Sequence, residues 1–207
     1  MTFWSSSPPV EPLTVKAERT RILTGVARAR VANAWLRLGS TTIVVLVATA
    51  IVGGNLPLFW WAGLVAVVCA DRVIYGRLLA RCVAGDPPQR IVWHVVWTAA
   101  QSAYGNLLAV MLWFAPYVAG ETLAVLYLCG SLANAAATFR ASQIMSLAGA
   151  GPTAAFLLAL PVADYFVGGG RNVFDLMPLV GGLLLLGFCV NLWRGLLVWF
   201  GGMGLIV

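Results

Sequence analysis

The sequence predicts an all-α protein, a polytopic membrane bundle of six transmembrane helices with both termini in the cytoplasm. Three observations predict this fold. Hydrophobic residues make up 61% of the 207-residue chain and charged residues only 10%, whereas soluble domains carry about 25% charged residues. The apolar residues fall into six runs, each close to the length that crosses a bilayer. The basic residues gather on one side of these runs.

The six apolar runs are expected to be helices, because an isolated strand would leave its backbone groups unpaired in lipid. Turn-forming segments that contain Gly and Pro separate several of them, such as 53–57 after the first run and 85–88 before the third. In chain order the runs cover about 35–52, 58–79, 91–114, 119–139, 152–167 and 176–193.

The positions of the basic residues predict how the runs are oriented. Twelve of the 13 Lys and Arg residues lie before or at the start of the first run, at the end of the second or between it and the third, between the fourth and fifth, or after the sixth. Only Arg171 lies between the fifth and sixth runs. The positive-inside rule therefore predicts that both termini are cytoplasmic.

The composition divides the chain into three parts. Residues 1–33 are polar and basic and lack the apolar core of a signal peptide, so we expect a cytoplasmic N-terminal segment. Residues 34–194 contain the six runs and form the predicted transmembrane bundle. Residues 195–207 form an apolar C-terminal tail that is too short to cross the membrane again.

Composition and motifs argue against several functional classes. The net charge is +6, but the basic residues flank apolar runs, so we expect contact with anionic lipid headgroups of the bilayer and no nucleic-acid partner. The four cysteines are scattered and form no CxxC pair, which predicts neither a metal site nor a disulfide framework. No enzyme motif is found, so no catalytic residue is predicted.

Two of the predicted helices carry polar side chains along one face. The residues at helical spacing on the third run are His94, Trp97, Gln101, Tyr104 and Leu108, and those on the fourth are Tyr127, Ser131, Asn134, Thr138 and Ser142. A short turn joins these runs, so we expect antiparallel neighbours with Gln101 level with Ser131. His94 is then level with Asn134 or Thr138, and Asn191 of the sixth run is a further candidate at that level.

These polar stripes have two interpretations. They predict either a hydrogen-bonded seam that holds the bundle together or a polar pocket for a small ligand, a quinone or a proton path. His94 is the chain's only histidine. It is a candidate pigment ligand or pH-sensitive switch, or a histidine at the lipid boundary. No cofactor is predicted, and a pigment or a quinone remains the alternative.

Acidic residues near the ends of two runs are further candidates. Asp164 lies in the fifth run, where an intramembrane carboxylate is a functional candidate, and Arg171 in the following segment is its expected partner at an outer-side polar site. Asp71 and Arg72 mark the inner end of the second run, and we expect them to form an interfacial ion pair or to snorkel towards the headgroups.

Four stretches within residues 28–193 resemble the N-terminal multi-helix membrane region of alphaproteobacterial sensor histidine kinases: AQSAYGNLLAVMLWF, GETLAVLYLCGSLANAAATFRAS, LPVADYF and LMPLVGGLLLLGFCVNLW. The resemblance implies an input module in a bacterial inner membrane. The phospho-accepting histidine box and the ATP-binding boxes of the family have no counterpart in this sequence, so no kinase residue is assigned.

Three functional hypotheses follow. The chain is a sensory or regulatory membrane module without catalytic activity of its own, either as a monomer or as a homodimer; or a small accessory subunit of a larger energy-transducing or pigment-bearing membrane complex; or a small transporter that uses the polar stripes. An apolar tail and nine tryptophans suit the second hypothesis, because partner subunits would cover them.

Overall fold

The computed structural model describes residues 12–88, 91–139, 142–167, 179–184 and 187. All regular secondary structure within these ranges is helical, which confirms the all-α prediction. The helices are α1 (Pro12–Ala32), α2 (Ala34–Val52), α3 (Leu56–Val83), α4 (Val92–Trp113), α5 (Val118–Thr138) and α6 (Gln143–Val167), and residues 179–184 form a further short helical stretch.

The helices α2 to α6 are each long and apolar enough to cross a membrane. They coincide with the first five predicted runs, so the chain is a helical membrane protein with five candidate spans in the part that the structure describes. Most of the predicted sixth run lies outside the described residues. The helix α6 begins at Gln143, earlier than predicted, because it continues through Pro152 and Pro161, which membrane helices tolerate.

The helix α3 is longer than the sequence predicts at both ends. Its 28 residues correspond to about 42 Å of helix, whereas the hydrocarbon core of a bilayer is about 30 Å thick. The helix passes through Asp71 without a break and ends at Val83. The helix is therefore about 12 Å longer than the hydrocarbon core, and Arg72, Arg77 and Arg81 all lie in its C-terminal half.

The bundle has two hydrophobic cores, one above the other. The first joins α2, the N-terminal half of α3, the C-terminal half of α4, the N-terminal half of α5 and the C-terminal half of α6. The second joins α1 to the C-terminal half of α3, the end of α5 and the start of α6. The second core contains Leu23, Val26, Ala27, Tyr75, Leu78, Cys82, Ala135, Phe139 and Met145.

The helices α1 and α2 lie one after the other along the same neighbouring helix, α3. Asn33 separates them, yet its backbone N–H still bonds to the Ala29 carbonyl at 3.0 Å, and its carbonyl accepts from the Arg37 N–H at 3.0 Å. The helix α1 packs most extensively on α3. Because α1 shares a core with the end of α3 and α2 with its beginning, the pair runs antiparallel to the long helix.

A left-handed glycine ends α2. Gly53 has φ of 74° and its N–H bonds to the Thr49 carbonyl at 3.2 Å. Only glycine adopts this conformation at little cost, and it is the usual residue after a helix C-terminus. The turn returns the chain directly into α3, which begins at Leu56.

Candidate functional site

The carboxylate of Asp71 is the centre of a buried polar cluster that joins four helices. Its side chain is fully buried in α3. Oδ1 accepts hydrogen bonds from Arg30 of α1 and from the indole Nε1 of Trp97 of α4, both at 3.1 Å. Oδ2 accepts from Arg37 of α2 at 3.2 Å. One carboxylate on a membrane helix thus binds α1, α2 and α4.

Helical periodicity places Asp71 and Arg30 inside the bundle. On α3 the buried side chains recur every three or four residues, and Asp71 occupies one position of this stripe between Val68 and Tyr75. On α1 the stripe of Leu23, Val26 and Ala27 continues to Arg30 one turn later. Where α1 packs on α3, the apolar face of α1 therefore carries Arg30 and that of α3 carries Asp71, at the same level of the bundle.

Aromatic rings enclose the guanidinium of Arg30, which is 6% exposed. Its central carbon lies 5.3 Å from the centre of the Tyr75 ring and 5.1 Å from that of Phe139. An arginine at such distances is attracted by the ring faces, more strongly when water is excluded. Arg30 also donates to the Oε1 atom of Gln101. Ion pair, amide and rings together compensate for the removal of this charge from water.

A chain of hydroxyl groups fixes the Tyr75 ring beside Arg30. The Thr98 hydroxyl donates to the His94 carbonyl at 2.7 Å, and the Tyr75 and Thr98 hydroxyl oxygens are 2.6 Å apart. Since the single Thr98 proton is already used, Tyr75 is the donor in the second bond. The arrangement orients the ring that Arg30 faces.

The cluster carries one positive charge in excess. Two guanidinium groups, of Arg30 and Arg37, meet one carboxylate, and Asp71 is the only acidic side chain that the described ranges bring to them. The adjacent Arg72 does not pair with Asp71. Its guanidinium instead lies 5.3 Å from the centre of the Trp35 ring. The sequence-based interpretation of Asp71 and Arg72 as an interfacial pair is therefore replaced by a buried pair with α1 and α2.

A small cavity of about 50 Å³ adjoins this cluster between α1, α4, α5 and α6. Its polar lining residues are Arg30, Thr98, Gln101, Ser102, Ser131 and Asn134. The buried Nε of Arg30 and Nε2 of Gln101 have no hydrogen-bond partner. A pocket for an organic ligand has about 300–1,000 Å³, so this cavity is too small for a quinone or a pigment and has room for water or a small ion.

A second polar contact joins α4 to α6 near the proline at position 152. The Ser102 hydroxyl donates to the Gly149 carbonyl at 2.7 Å. The Nδ2 of Asn106 donates to the Thr153 hydroxyl at 3.0 Å, and both residues are fully buried. Side chains of a neighbouring helix commonly satisfy backbone groups where proline interrupts a membrane helix. These bonds fix the register of α4 on α6.

The predicted stripe on α4 faces α3 for most of its length. Trp97 binds Asp71, and the Tyr104 hydroxyl donates to the Trp60 carbonyl at 3.0 Å. The His94 ring meets Tyr75 edge-on, with ring centres 6.0 Å apart. The sequence-based expectation paired this stripe with α5. The structure differs because α3 supplies the carboxylate and carbonyl acceptors that these donors need.

The predicted stripe on α5 meets the α4 stripe only at the cavity. Ser131 and Asn134 line it together with Gln101, which agrees with the expected level of Gln101 and Ser131. Thr138 contacts Asn134 within the same helix, at 3.5 Å. Tyr127 donates to the Gly105 carbonyl of α4 at 3.0 Å. Tyr127 therefore belongs to a hydrogen-bonded seam between α5 and α4, whereas Ser131 and Asn134 form part of the cavity wall.

The remaining predicted site residues lie elsewhere. His94 borders a different groove, of about 260 Å³, with Arg77, Arg81 and Trp93, and not the cavity beside Asn134. Asp164 is partly buried near the end of α6. Its expected partner Arg171 lies outside the described residues, as does Asn191. The described ranges contain no group of three or more His, Cys, Asp and Glu residues that could hold a metal ion.

Sequence reasoning missed Arg30 as a site residue and placed Asp71 at the interface. A signal for Asp71 was present, because Trp60, Leu64, Val68, Asp71, Tyr75 and Leu78 follow one another at steps of three or four. A carboxylate on the apolar stripe of a helix requires a buried partner. The identity of that partner was not readable, since Arg30 lies 41 positions earlier in the chain.

Comparison of the chain with protein-family models, with curated proteins and with solved structures finds no match.

Proposed function

We propose that this chain is a sensory or regulatory membrane module in which α1 is the cytoplasmic element that responds to the membrane bundle. In this proposal six helices cross a bacterial inner membrane, and both termini lie in the cytoplasm. The single observation that carries it is the Asp71 carboxylate, which binds α1, α2 and α4 at once. The resemblance to the input region of sensor histidine kinases agrees with this role.

The geometry supports a coupling between the spans and α1. The ion pair between Arg30 and Asp71 depends on where α3 stands relative to α2 and α4, because Arg37 and Trp97 hold the same carboxylate in place. A shift of these helices that favours Arg37 and Trp97 weakens the hold on Arg30. Two arrangements of one ion-pair cluster are a common basis of a switch.

The distribution of charge supports the orientation. Arg72, Arg77 and Arg81 lie on the half of α3 that packs against α1, and Arg28 and Arg30 lie on α1 itself. The opposite end of α3 begins at the uncharged segment 53–56. Basic residues concentrate on the cytoplasmic side of membrane proteins, so α1 and the C-terminal end of α3 are assigned to the cytoplasm.

Spin labels on α1 and α3 test the coupling. Gly25 and Val83 are exposed, and a Cβ at Gly25 meets no neighbouring atom. Labels at Gly25→Cys and Val83→Cys, in a chain whose native cysteines are replaced by alanine, report the distance by pulsed electron paramagnetic resonance. We expect one narrow distribution of label distances, and Asp71→Asn should broaden it. Asp86 forms an exposed pair with Arg81, so Asp86→Asn should leave the distribution unchanged.

The same labels decide whether α1 responds to the membrane. Bilayers of different thickness change the tilt and packing of spans, so nanodiscs of short-chain and long-chain lipid should give different distributions. An identical distribution in both lipids, together with no effect of Asp71→Asn, contradicts the proposal. Labelling of the Gly25→Cys thiol by an impermeant maleimide tests the orientation, since only inverted vesicles should react.

An accessory subunit of a larger membrane complex is the second candidate, and the exposure of α2 favours it. Only 11% of the apolar window of α2 is buried, compared with 28–33% for α3 to α6. Such a helix offers a face to lipid, to a second copy of the chain or to a partner subunit. Native mass spectrometry after purification in mild detergent distinguishes a stoichiometric complex or a homodimer from a monomer.

A further inference from the structure

We propose that the cavity beside Arg30 binds one small monovalent anion of the size of chloride. The cavity is lined by Arg30, Gln101, Ser102, Ser131 and Asn134 and has a volume of about 50 Å³. The inference goes beyond the proposed function, because such a site could be present whether or not α1 transmits a signal. The inference rests on the net positive charge of the cluster of Arg30, Arg37 and Asp71, on two donors without hydrogen-bond partners, and on the volume of the cavity.

The charge of the cluster favours an anion. Arg30 and Arg37 bring two positive charges to the single carboxylate of Asp71. Arg30 is the more deeply buried of the two, with 6% of its side chain exposed compared with 22% for Arg37, and a charge removed from water is costly unless a counter-charge lies near it. Arg30 borders the cavity, whereas Asp71 does not. An anion in the cavity would therefore meet the positive side of the cluster and not the carboxylate.

Two residues that line the cavity, Arg30 and Gln101, each carry a buried donor without a partner. Arg30 is 6% exposed and Gln101 is 4% exposed, and the Nε of Arg30 and the Nε2 of Gln101 lack hydrogen-bond partners. Arginine has no acceptor, so the amide oxygen of Gln101 must face it and the amide nitrogen is left for another group. Buried donors normally have a partner, and an anion accepts from both.

Neutral polar groups complete the lining and can also donate. Ser131 and Asn134 reach the cavity from α5, and Ser102 reaches it from α4. Hydroxyl and amide groups rotate to present a hydrogen to an anion without bringing a further charge. The Ser102 hydroxyl is already used by the Gly149 carbonyl, at 2.7 Å, so Ser131 and Asn134 are the available neutral donors.

The volume limits the anion to a small one. A cavity needs about 10–15 Å³ of free space to hold one water, and about 50 Å³ therefore holds a halide or a few waters. Gluconate carries the same charge but is far larger than the cavity. Chloride and gluconate therefore form a matched pair of probes that differ in size and not in charge.

The test is thermal unfolding of the full-length chain in detergent, followed by tryptophan fluorescence at constant ionic strength. Sodium chloride or sodium bromide replaces sodium gluconate in steps. A ligand that binds only the folded state raises the unfolding midpoint, and above its Kd the rise grows with the logarithm of the ligand concentration. We expect the unfolding midpoint to rise as chloride or bromide replaces gluconate, and to be lowest in gluconate alone.

Variants locate the effect. Gln101→Leu removes an amide donor but keeps Arg30. We expect the apparent Kd for chloride, fitted from the concentration dependence of the midpoint, to rise by about tenfold, because a hydrogen bond to a charged group has about that effect on affinity. Arg30→Gln should abolish the rise. Arg28→Gln is the matched control, since Arg28 is exposed on the same helix two positions earlier, and should behave as the wild type.

A second measurement does not depend on the folding of any variant. Chloride-35 nuclear magnetic resonance of the wild-type protein should show excess line broadening that bromide suppresses and gluconate does not. Equal stabilisation by chloride and gluconate overturns the proposal, as does an unchanged apparent Kd for chloride in a folded Gln101→Leu variant. Absence of bromide-sensitive broadening in the wild type means that water alone fills the cavity and also overturns it.

Discussion

Trp60 and Tyr104 each donate a side-chain hydrogen bond to the backbone carbonyl of the other. The Trp60 indole Nε1 lies 2.9 Å from the Tyr104 carbonyl oxygen, and the Tyr104 hydroxyl lies 3.0 Å from the Trp60 carbonyl oxygen. Their rings are nearly parallel, at 13°, with centres 6.0 Å apart. The pair fixes α4 against α3 in the first hydrophobic core, at a different level from the Asp71 cluster.

We predict that Tyr104→Phe lowers the free energy of unfolding by about 1 kcal/mol, because it removes one interhelical hydrogen bond and keeps the ring. Gly63→Ala should cost more, since its Cβ would meet the Tyr104 hydroxyl. If that contact is the cause, Gly63→Ala costs less when Tyr104 is already Phe. A double-mutant cycle by steric trapping or thermal unfolding measures the difference, and strict additivity would contradict the assignment.

Asp71→Leu should destabilise the bundle by about 3 kcal/mol or more, because it leaves the buried Arg30 and the partly buried Arg37 without a counter-charge. Asp86→Leu is the control. Asp86 pairs with Arg81 at 3.3 Å, but its side chain is 77% exposed, and exposed pairs contribute about 1 kcal/mol or less. Thermal unfolding in one detergent compares the two variants. Equal losses would show that the Asp71 cluster does not hold α1.

Gly149→Ala tests the close approach of α6 to the end of α5. A Cβ at Gly149 would lie 2.6 Å from Cε2 of the Phe139 ring, which is itself buried against Arg30. Overpacking of this kind costs about 1–3 kcal/mol. Gly151→Ala, two residues later on the same helix, meets no atom within 4 Å and should be neutral or slightly stabilising. Retention of wild-type stability by Gly149→Ala would argue against the packing at this position.

Thr153→Val should weaken the contact between α4 and α6 by about 1–2 kcal/mol. The substitution keeps the shape of the side chain but removes the acceptor for Asn106, whose amide is fully buried, and an unsatisfied buried donor is costly. Thr122→Val removes a similar hydroxyl on exposed α5 surface, where the only bond is at 3.5 Å within the helix. That control should change the unfolding midpoint little, and a similar loss in both variants would refute the prediction.

The first five membrane helices could be predicted from the sequence because each satisfies a local requirement of length and apolarity. Their exact ends could not. The helix α3 passes through Asp71 and continues to Val83 because α1 covers its second half. Hydropathy treats a charge as the end of a span, whereas here the charge is buried by another part of the chain.

The candidate site was only half predictable. Gln101, Ser131 and Asn134 do meet at one cavity, since helical spacing places them on facing stripes. His94 and Tyr104 instead face α3. Spacing shows which residues share a face but not which neighbour that face meets, because several helices compete for it.

Local chemistry along the chain determined that this protein is helical and embedded in a membrane, since a backbone in lipid must satisfy its own hydrogen bonds. It also determined which residues share a helical face. Only the tertiary structure decided that the Arg30 guanidinium belongs to the Asp71 carboxylate rather than to solvent. That choice depends on the packing of α1 on α3, in which residues far apart in sequence exclude water from both charges and so make their pairing necessary.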